Sequence, residues 1–241
     1  MTESSEWWTR YQPVSYQLVS RSGTEVDFVD MVKRCQAVGV DIYVDAVINH
    51  MAAGSGTGVA GSPFGNRAFP GLYSAADMHH NYNDESSNCQ VDFSSRTNIQ
   101  MCDLLGLVDL NTGSSYTAPT ITGYLKHLAQ DGVAGIRVDA AKHIDSNELK
   151  NIVTPSKLFA FCEVEQDQFV SGYLTLMSLT TLNICNANDP YNSKPLTTIP
   201  TILIQITLLT LLTLLTFIRL RVLFFLQSHG IQFWQQCWKH V

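Results

Sequence analysis

Gly135-Ile136-Arg137-Val138-Asp139-Ala140-Ala141-Lys142-His143 is a short apolar run that closes on charged and polar residues. Immediately upstream, Pro119 suits a first helical turn, Ile121, Tyr124, Leu125 and Leu128 recur on one helical face, and Gly132 supplies a stop. The same unit occurs earlier in the chain. Thr24 and Asp27 resemble a capping arrangement, Phe28, Met31, Val32, Cys35 and Val38 follow at helical spacing, and Gly39 ends the helix. The run Ile42-Tyr43-Val44-Asp45-Ala46-Val47-Ile48 comes next and does not alternate, as expected of a parallel strand covered on both faces. A third unit has Ser146 as N-cap, Leu149, Ile152 and Val153 on one face, a break at Pro155, and a strand from Leu158 to Val164. Repeated helix–strand units predict an α/β fold built on a parallel sheet, open or closed.

The first and second strands are separated by residues 52–103, rich in Gly, Ser, Asn and Asp. A segment of that length inside a compact domain predicts a functional excursion, such as a lid or an ion site. The chain has 241 residues, 45% apolar and 15% charged, with a formal charge of −6. No basic stripe is available to neutralise phosphates, so a nucleic-acid partner is not expected. Intrinsic disorder is excluded by the apolar content.

Polar residues gather at the ends of all three strands: Asp45 with Asn49 and His50, Arg137 with Asp139, Lys142 and His143, and Glu163. A single acid in an apolar strand is explained by an Arg partner. Three at corresponding ends of successive parallel strands point to a site, because the C-terminal strand ends form the active face of α/β barrels. Two carboxyls brought within roughly 5 Å are the requirement of a retaining glycosidase, one as nucleophile and one as proton donor.

Asp45-Ala46-Val47-Ile48-Asn49-His50 and Gly135 to His143 resemble two signature strands of the animal-type alpha-amylases, and Trp7-Trp8-Thr9-Arg10-Tyr11-Gln12-Pro13-Val14-Ser15-Tyr16 resembles that family's substrate-binding aromatic segment. The resemblance covers residues 7 to about 165 in order and implies a partial (β/α)8 TIM barrel, with a loop-rich excursion after the first recognisable strand. It implies endohydrolysis of α-1,4-glucosidic bonds in starch and glycogen with retention. Asp139 is the implied nucleophile and Glu163 the implied acid and base, with Glu165 as the weaker alternative. Arg137 would keep the nucleophile ionised and help bind chloride. Trp7, Trp8, Tyr11, Gln12, Asp45, His50, Lys142 and His143 would bind or support the substrate. Calcium would be held by side-chain oxygens of Asn49 and Asp109 and by the backbone carbonyls of Gln100 and His143. The His79-His80 pair invites a zinc reading, but no second ligand cluster has suitable spacing, so a solvated loop is expected.

Of six cysteines, Cys35 and Cys162 are expected as buried free thiols. Cys89 and Cys102 flank a short segment and suit a disulfide worth about 3 kcal/mol. That pair matches the family and an oxidising, secreted setting, although the N-terminus carries no signal peptide. The division expected is a partial catalytic barrel over 1–170 and an unrelated tail over 171–241. In that tail Thr207 to Thr216 repeats Thr-Leu-Leu with period three, as translated repetitive DNA would. Residues 199–218 are long and apolar enough to resemble a membrane span, though membrane attachment is not expected. The resemblance supplies only three of eight barrel strands and no late Asn-His-Asp element, so the chain reads as an incomplete monomeric amylase. The alternatives are an inactive remnant that binds calcium or glucan, and a membrane-tethered fragment.

Overall fold

The computed structural model describes residues 1–3, 5–79 and 89–163. Three four-residue strands, β1 (Tyr43–Ala46), β6 (Gly135–Val138) and β7 (Phe159–Cys162), form a parallel sheet in the order β1-β6-β7. Between β1 and β6 lie the short pairs β2 (His50–Met51) with β5 (Val108–Asp109), and β3 (Gly56–Thr57) with β4 (Pro63–Phe64), all antiparallel. The helices are α1 (Glu25–Ala37), α2 (Arg96–Met101), α3 (Thr117–Gln130) and α4 (Ser146–Val153). The helix–strand order is that expected from the sequence, and the excursion carries its own small sheets instead of one long loop.

Local chemistry explains the boundaries. Thr24 and Asp27 form a reciprocal capping box at the start of α1, with the Asp27 carboxylate accepting from the Thr24 N–H at 2.8 Å. α4 is capped one residue earlier than its sequence suggests. Asp145, not Ser146, accepts from the N–H groups of Asn147 (2.9 Å) and Glu148 (3.3 Å), and an ionised oxygen is the stronger acceptor there. Pro155 sits in a single 3₁₀ turn (Thr154–Ser156) after α4, and Lys157 then takes a left-handed conformation that turns the chain into β7.

Register sorts the side chains of the sheet. Val44, Ile136 and Ala160 are aligned across it, as are Ala46, Val138 and Cys162. These residues point to one face and join Ile121, Leu125 and Leu128 of α3 and Leu149, Ile152 and Val153 of α4 in one core. Each such aliphatic side chain contributes roughly 1.5–3 kcal/mol on burial. Thr122 donates to the Ile152 carbonyl at 2.9 Å, tying α3 to α4. Tyr43 and Asp45 belong to the other face, and burial along β1 does not alternate, since Tyr43, Val44 and Asp45 are all partly buried. Gly135 is required where β6 begins, because a Cβ there would meet the Tyr43 ring and stand 2.8 Å from the Phe159 carbonyl oxygen.

Two cysteine expectations resolve differently. Cys89 and Cys102 are disulfide-bonded and Cys35 is a buried free thiol, as read from the sequence. Cys162 is instead disulfide-bonded, and it is only partly buried at the C-terminal end of β7. The Leu/Thr tail, the span-like segment 199–218, Glu165 and His80 also lie outside the described residues. Among the described residues no helix is long and apolar enough to cross a membrane.

Candidate active site

The face of the sheet opposite the core carries the charges, and the register shows why. Asp45 is aligned with Arg137, and Arg137 with Phe161. In a strand, residues two apart share a face, so Asp139 follows Arg137 and Glu163 follows Phe161 onto that side. All four polar groups meet there. One Arg137 Nη1 donates to Asp45 Oδ1 at 2.9 Å and to Asp139 Oδ1 at 3.2 Å, and Nη2 reaches Glu163 Oε1 at 2.6 Å. Tyr11 donates its hydroxyl to Asp45 Oδ2 at 2.9 Å. Ala140 adopts a left-handed backbone (φ 49°), uncommon for a residue with a side chain, and its N–H donates to Glu163 Oε2 at 3.1 Å.

Charge and burial set the protonation chemistry. Burial pushes the Asp139 carboxyl up to about 7, and the neighbouring Glu163 charge adds to the rise while Arg137 opposes it. Burial alone would weaken the Arg137 charge, but the three carboxylates outweigh it and hold the guanidinium above its ordinary value. The same surroundings push the Tyr11 phenol up, chiefly by burial and then by Asp45, which keeps it a donor.

The aromatic segment forms a 3₁₀ turn (Trp7–Tyr11) beside this cluster. Trp7 and Trp8 are 63% and 47% exposed, which removes core packing as their role among the described residues. Gln12 caps that turn, its N–H on the Thr9 carbonyl at 3.3 Å. His50 is buried, with Nε2 at 3.0 Å from the Tyr11 carbonyl and Nδ1 at 3.4 Å from the Asn49 amide nitrogen. Those partners fit one neutral tautomer, Nε2 donating and Nδ1 accepting, and burial lowers its pKa to about 4. Lys142 and His143 lie in the 3₁₀ turn after Asp139, both buried. Phe93, which no sequence pattern singled out, covers both: its ring centre is 4.8 Å from Lys142 Nζ and 6.1 Å from the His143 ring. It holds a positive φ of 57° and remains 39% exposed. A lone Phe between polar residues gives no periodic signal, and only the strained backbone marks it.

Of the residues expected to hold calcium, Asn49 and Asp109 are both buried, and the Leu110 N–H donates to the Asn49 carbonyl at 3.0 Å. The β2–β5 register sets His50 against Asp109, beside the buried Asn49. His143 Nδ1 lies 2.9 Å from the Ile99 carbonyl, and Gln100 Nε2 donates to the Ile144 carbonyl at 3.4 Å, so α2 is fastened to the turn that follows Asp139. Asp109 sends Oδ2 to His79 Nδ1 at 2.7 Å, while Oδ1 is buried with no hydrogen-bond partner. An orphaned buried carboxylate oxygen fits a hard divalent cation, which takes oxygen ligands. Burial also pushes the Asp109 carboxyl up to about 7, the penalty such a cation would relieve. His79 is thus no solvated loop residue. Arg67, likewise unforeseen, clamps Asp103 through two contacts (2.6 and 3.2 Å), and Asp103 Oδ1 accepts from the Asp109 N–H at 3.0 Å. At the residue expected to help bind chloride, both Nη atoms of Arg137 are engaged by carboxylates.

Comparison with known proteins identifies the family. The family model "Alpha amylase, catalytic domain" matches residues 7–181. The chain belongs to the alpha-amylase family. An alpha-amylase of Streptomyces violaceus is 45% identical over 150 residues, covering 62% of this chain and 26% of the relative. An alpha-amylase-related protein of Drosophila willistoni is 45% identical over 159 residues, covering 63% and 31%. Among solved structures, a mutant of alpha-amylase I from Eisenia fetida, crystallised with maltohexaose, superposes with a TM-score of 0.62 at 36% identity, covering 66% of this chain and 36% of that one. An alpha-amylase of Malbranchea cinnamomea, 20% identical, shares the fold at a TM-score of 0.59. The chain thus spans about a third or less of the length of these amylases, and its sheet is part of a (β/α)8 barrel.

Proposed function

We propose that this amylase-family chain acts on α-1,4-glucans such as starch and glycogen, cleaving internal bonds with retention of configuration. The observation that carries the reading is that Asp139 and Glu163 share the one Arg137 guanidinium, at 3.2 and 2.6 Å, so that both carboxyls meet at one point as the nucleophile and acid of a retaining pair must. In this reading Glu163 protonates the glycosidic oxygen while Asp139 attacks the anomeric carbon to form a glycosyl ester. Glu163 then takes a proton from the incoming water, which displaces Asp139. Arg137 favours the ionised nucleophile, and Asp45, fixed by Tyr11 and Arg137, braces the arrangement. The exposed faces of Trp7 and Trp8 suit apolar faces of glucose rings, and the Eisenia neighbour was crystallised with a linear maltooligosaccharide. The test is starch with the full chain and calcium: iodine colour should fall faster than reducing ends appear, and the first product should be the α-anomer. A β-anomer, or no clearing, would overturn the proposal.

Acidity supplies a second expectation. The cycle needs one proton in the pair, on Glu163 for the leaving oxygen, with Asp139 ionised, and burial with the neighbouring Glu163 charge holds that proton on the pair up to about 7. Activity is therefore lost as pH rises through that value, kcat/KM dropping about tenfold per unit above the pair's apparent pKa. A profile flat from about pH 6 up to about pH 9 would contradict this assignment.

Calcium is part of the proposal, with Asn49 and Asp109 side chains and the Gln100 and His143 carbonyls as ligands. It would supply charge neutralisation to Asp109 and fasten the excursion to the barrel. Chelation should speed proteolytic cutting within 52–103 by about tenfold, since removing a native-state ligand raises the open population. Unchanged cutting would count against the site. Chloride rests on the family resemblance alone. The Cys89–Cys102 disulfide supports a secreted protein, and a monomer is proposed with it.

A further inference from the structure

We propose a second metal site, for a divalent transition ion such as Zn²⁺, formed by Glu25, His127 and Asp131 on the helices outside the sheet. Glu25 opens α1, His127 lies in the last turn of α3, and Asp131 caps that helix. The ligand atoms all fall within 4.8 Å of one another. Glu25 Oε1 stands 2.9 Å from His127 Nε2, and Asp131 Oδ2 stands 3.8 Å from it. A tetrahedral ion with bonds near 2.1 Å requires ligand atoms about 3.4 Å apart, between those two spacings, so small rotamer changes would close the set.

Three features distinguish this cluster from an ordinary surface ion pair. His127 and Asp131 are four residues apart on one helical turn, the spacing that aims two side chains at one point. Asp131 Oδ2 is a buried atom with no hydrogen-bond partner, its nearest charge the imidazole at 3.8 Å. The donors are one imidazole and two carboxylates, a set that suits zinc and its neighbours better than calcium. Glu25 and His127 are 44% and 41% exposed, which leaves an entry path and a place for water as fourth ligand, while Asp131 at 12% anchors the base. The site is independent of the glucan reading: Asp131 precedes the start of β6, whereas Asp139 follows its other end. A bound ion would staple α1 to α3, two elements about a hundred residues apart in sequence.

The experiment is calorimetric titration of Zn²⁺ into the full chain with excess calcium present. One saturable equivalent is expected. His127→Ala and Asp131→Asn should each weaken it at least about tenfold. Glu25→Gln, an isosteric change at an exposed position, provides the same test should either of the others fail to fold. Absence of saturable binding, or binding unaltered by these ligand substitutions, would overturn the proposal.

Discussion

Asp139→Asn should lower kcat/KM on starch by more than about 10³-fold, because it replaces the carboxylate assigned to form the glycosyl ester that retention requires. The loss should fall on kcat rather than on glucan binding, since Trp7 and Trp8 are untouched. Stability should move little. The substitution removes a carboxylate whose ionisation is opposed by burial and by Glu163, and gives up a 3.2 Å contact with Arg137. Those effects offset each other to within about 1 kcal/mol. Substantial residual turnover, or a loss of turnover accompanied by unfolding, would reject the nucleophile assignment.

Arg137→Ala should have the largest effect on stability. The guanidinium is the shared partner of Asp45, Asp139 and Glu163, and removing it leaves three clustered carboxylates without it. Breaking a buried pair in this way costs about 3–5 kcal/mol, and the low end applies because Glu163 is 35% exposed and screened by solvent. The sign of the pH dependence is distinctive. Without Arg137 the acids are driven toward protonation in the folded chain, so the variant regains stability as pH falls. Urea denaturation should therefore show the gap from wild type narrowing from about pH 8 to about pH 4. A gap that stays constant across that range would mean that lost packing, not charge, is the cause.

The parts of this site that were legible in the sequence lie on the strands. Arg137, Asp139 and Asp45 announced themselves because charge inside an apolar run has few structural excuses, and the sheet register then brings them together. The capping box at Thr24 was readable for a similar reason, being a local pattern with a local cause. What escaped detection depends on distant pairings. His79 meets Asp109 through a bridge between Met78 and Leu110, over a segment with no periodicity, so its histidine looked solvated. Phe93 and Arg67 belong to the same excursion and were missed for the same reason. The Ser146 cap was misplaced by one residue because Ser and Asp are both good caps, and only the backbone decides which one is used.

The central claim is that Asp139 attacks the sugar while Glu163 manages the proton. The most direct test is to incubate the full chain with a fluorinated α-glucosyl fluoride, which forms the glycosyl ester but slows its hydrolysis, and to locate the adduct by peptide mass spectrometry. The account predicts one hexosyl label, on the peptide carrying Asp139, absent in Asp139→Asn. A label on Asp45 or Glu163, or no label under conditions where the chain clears starch, would contradict it.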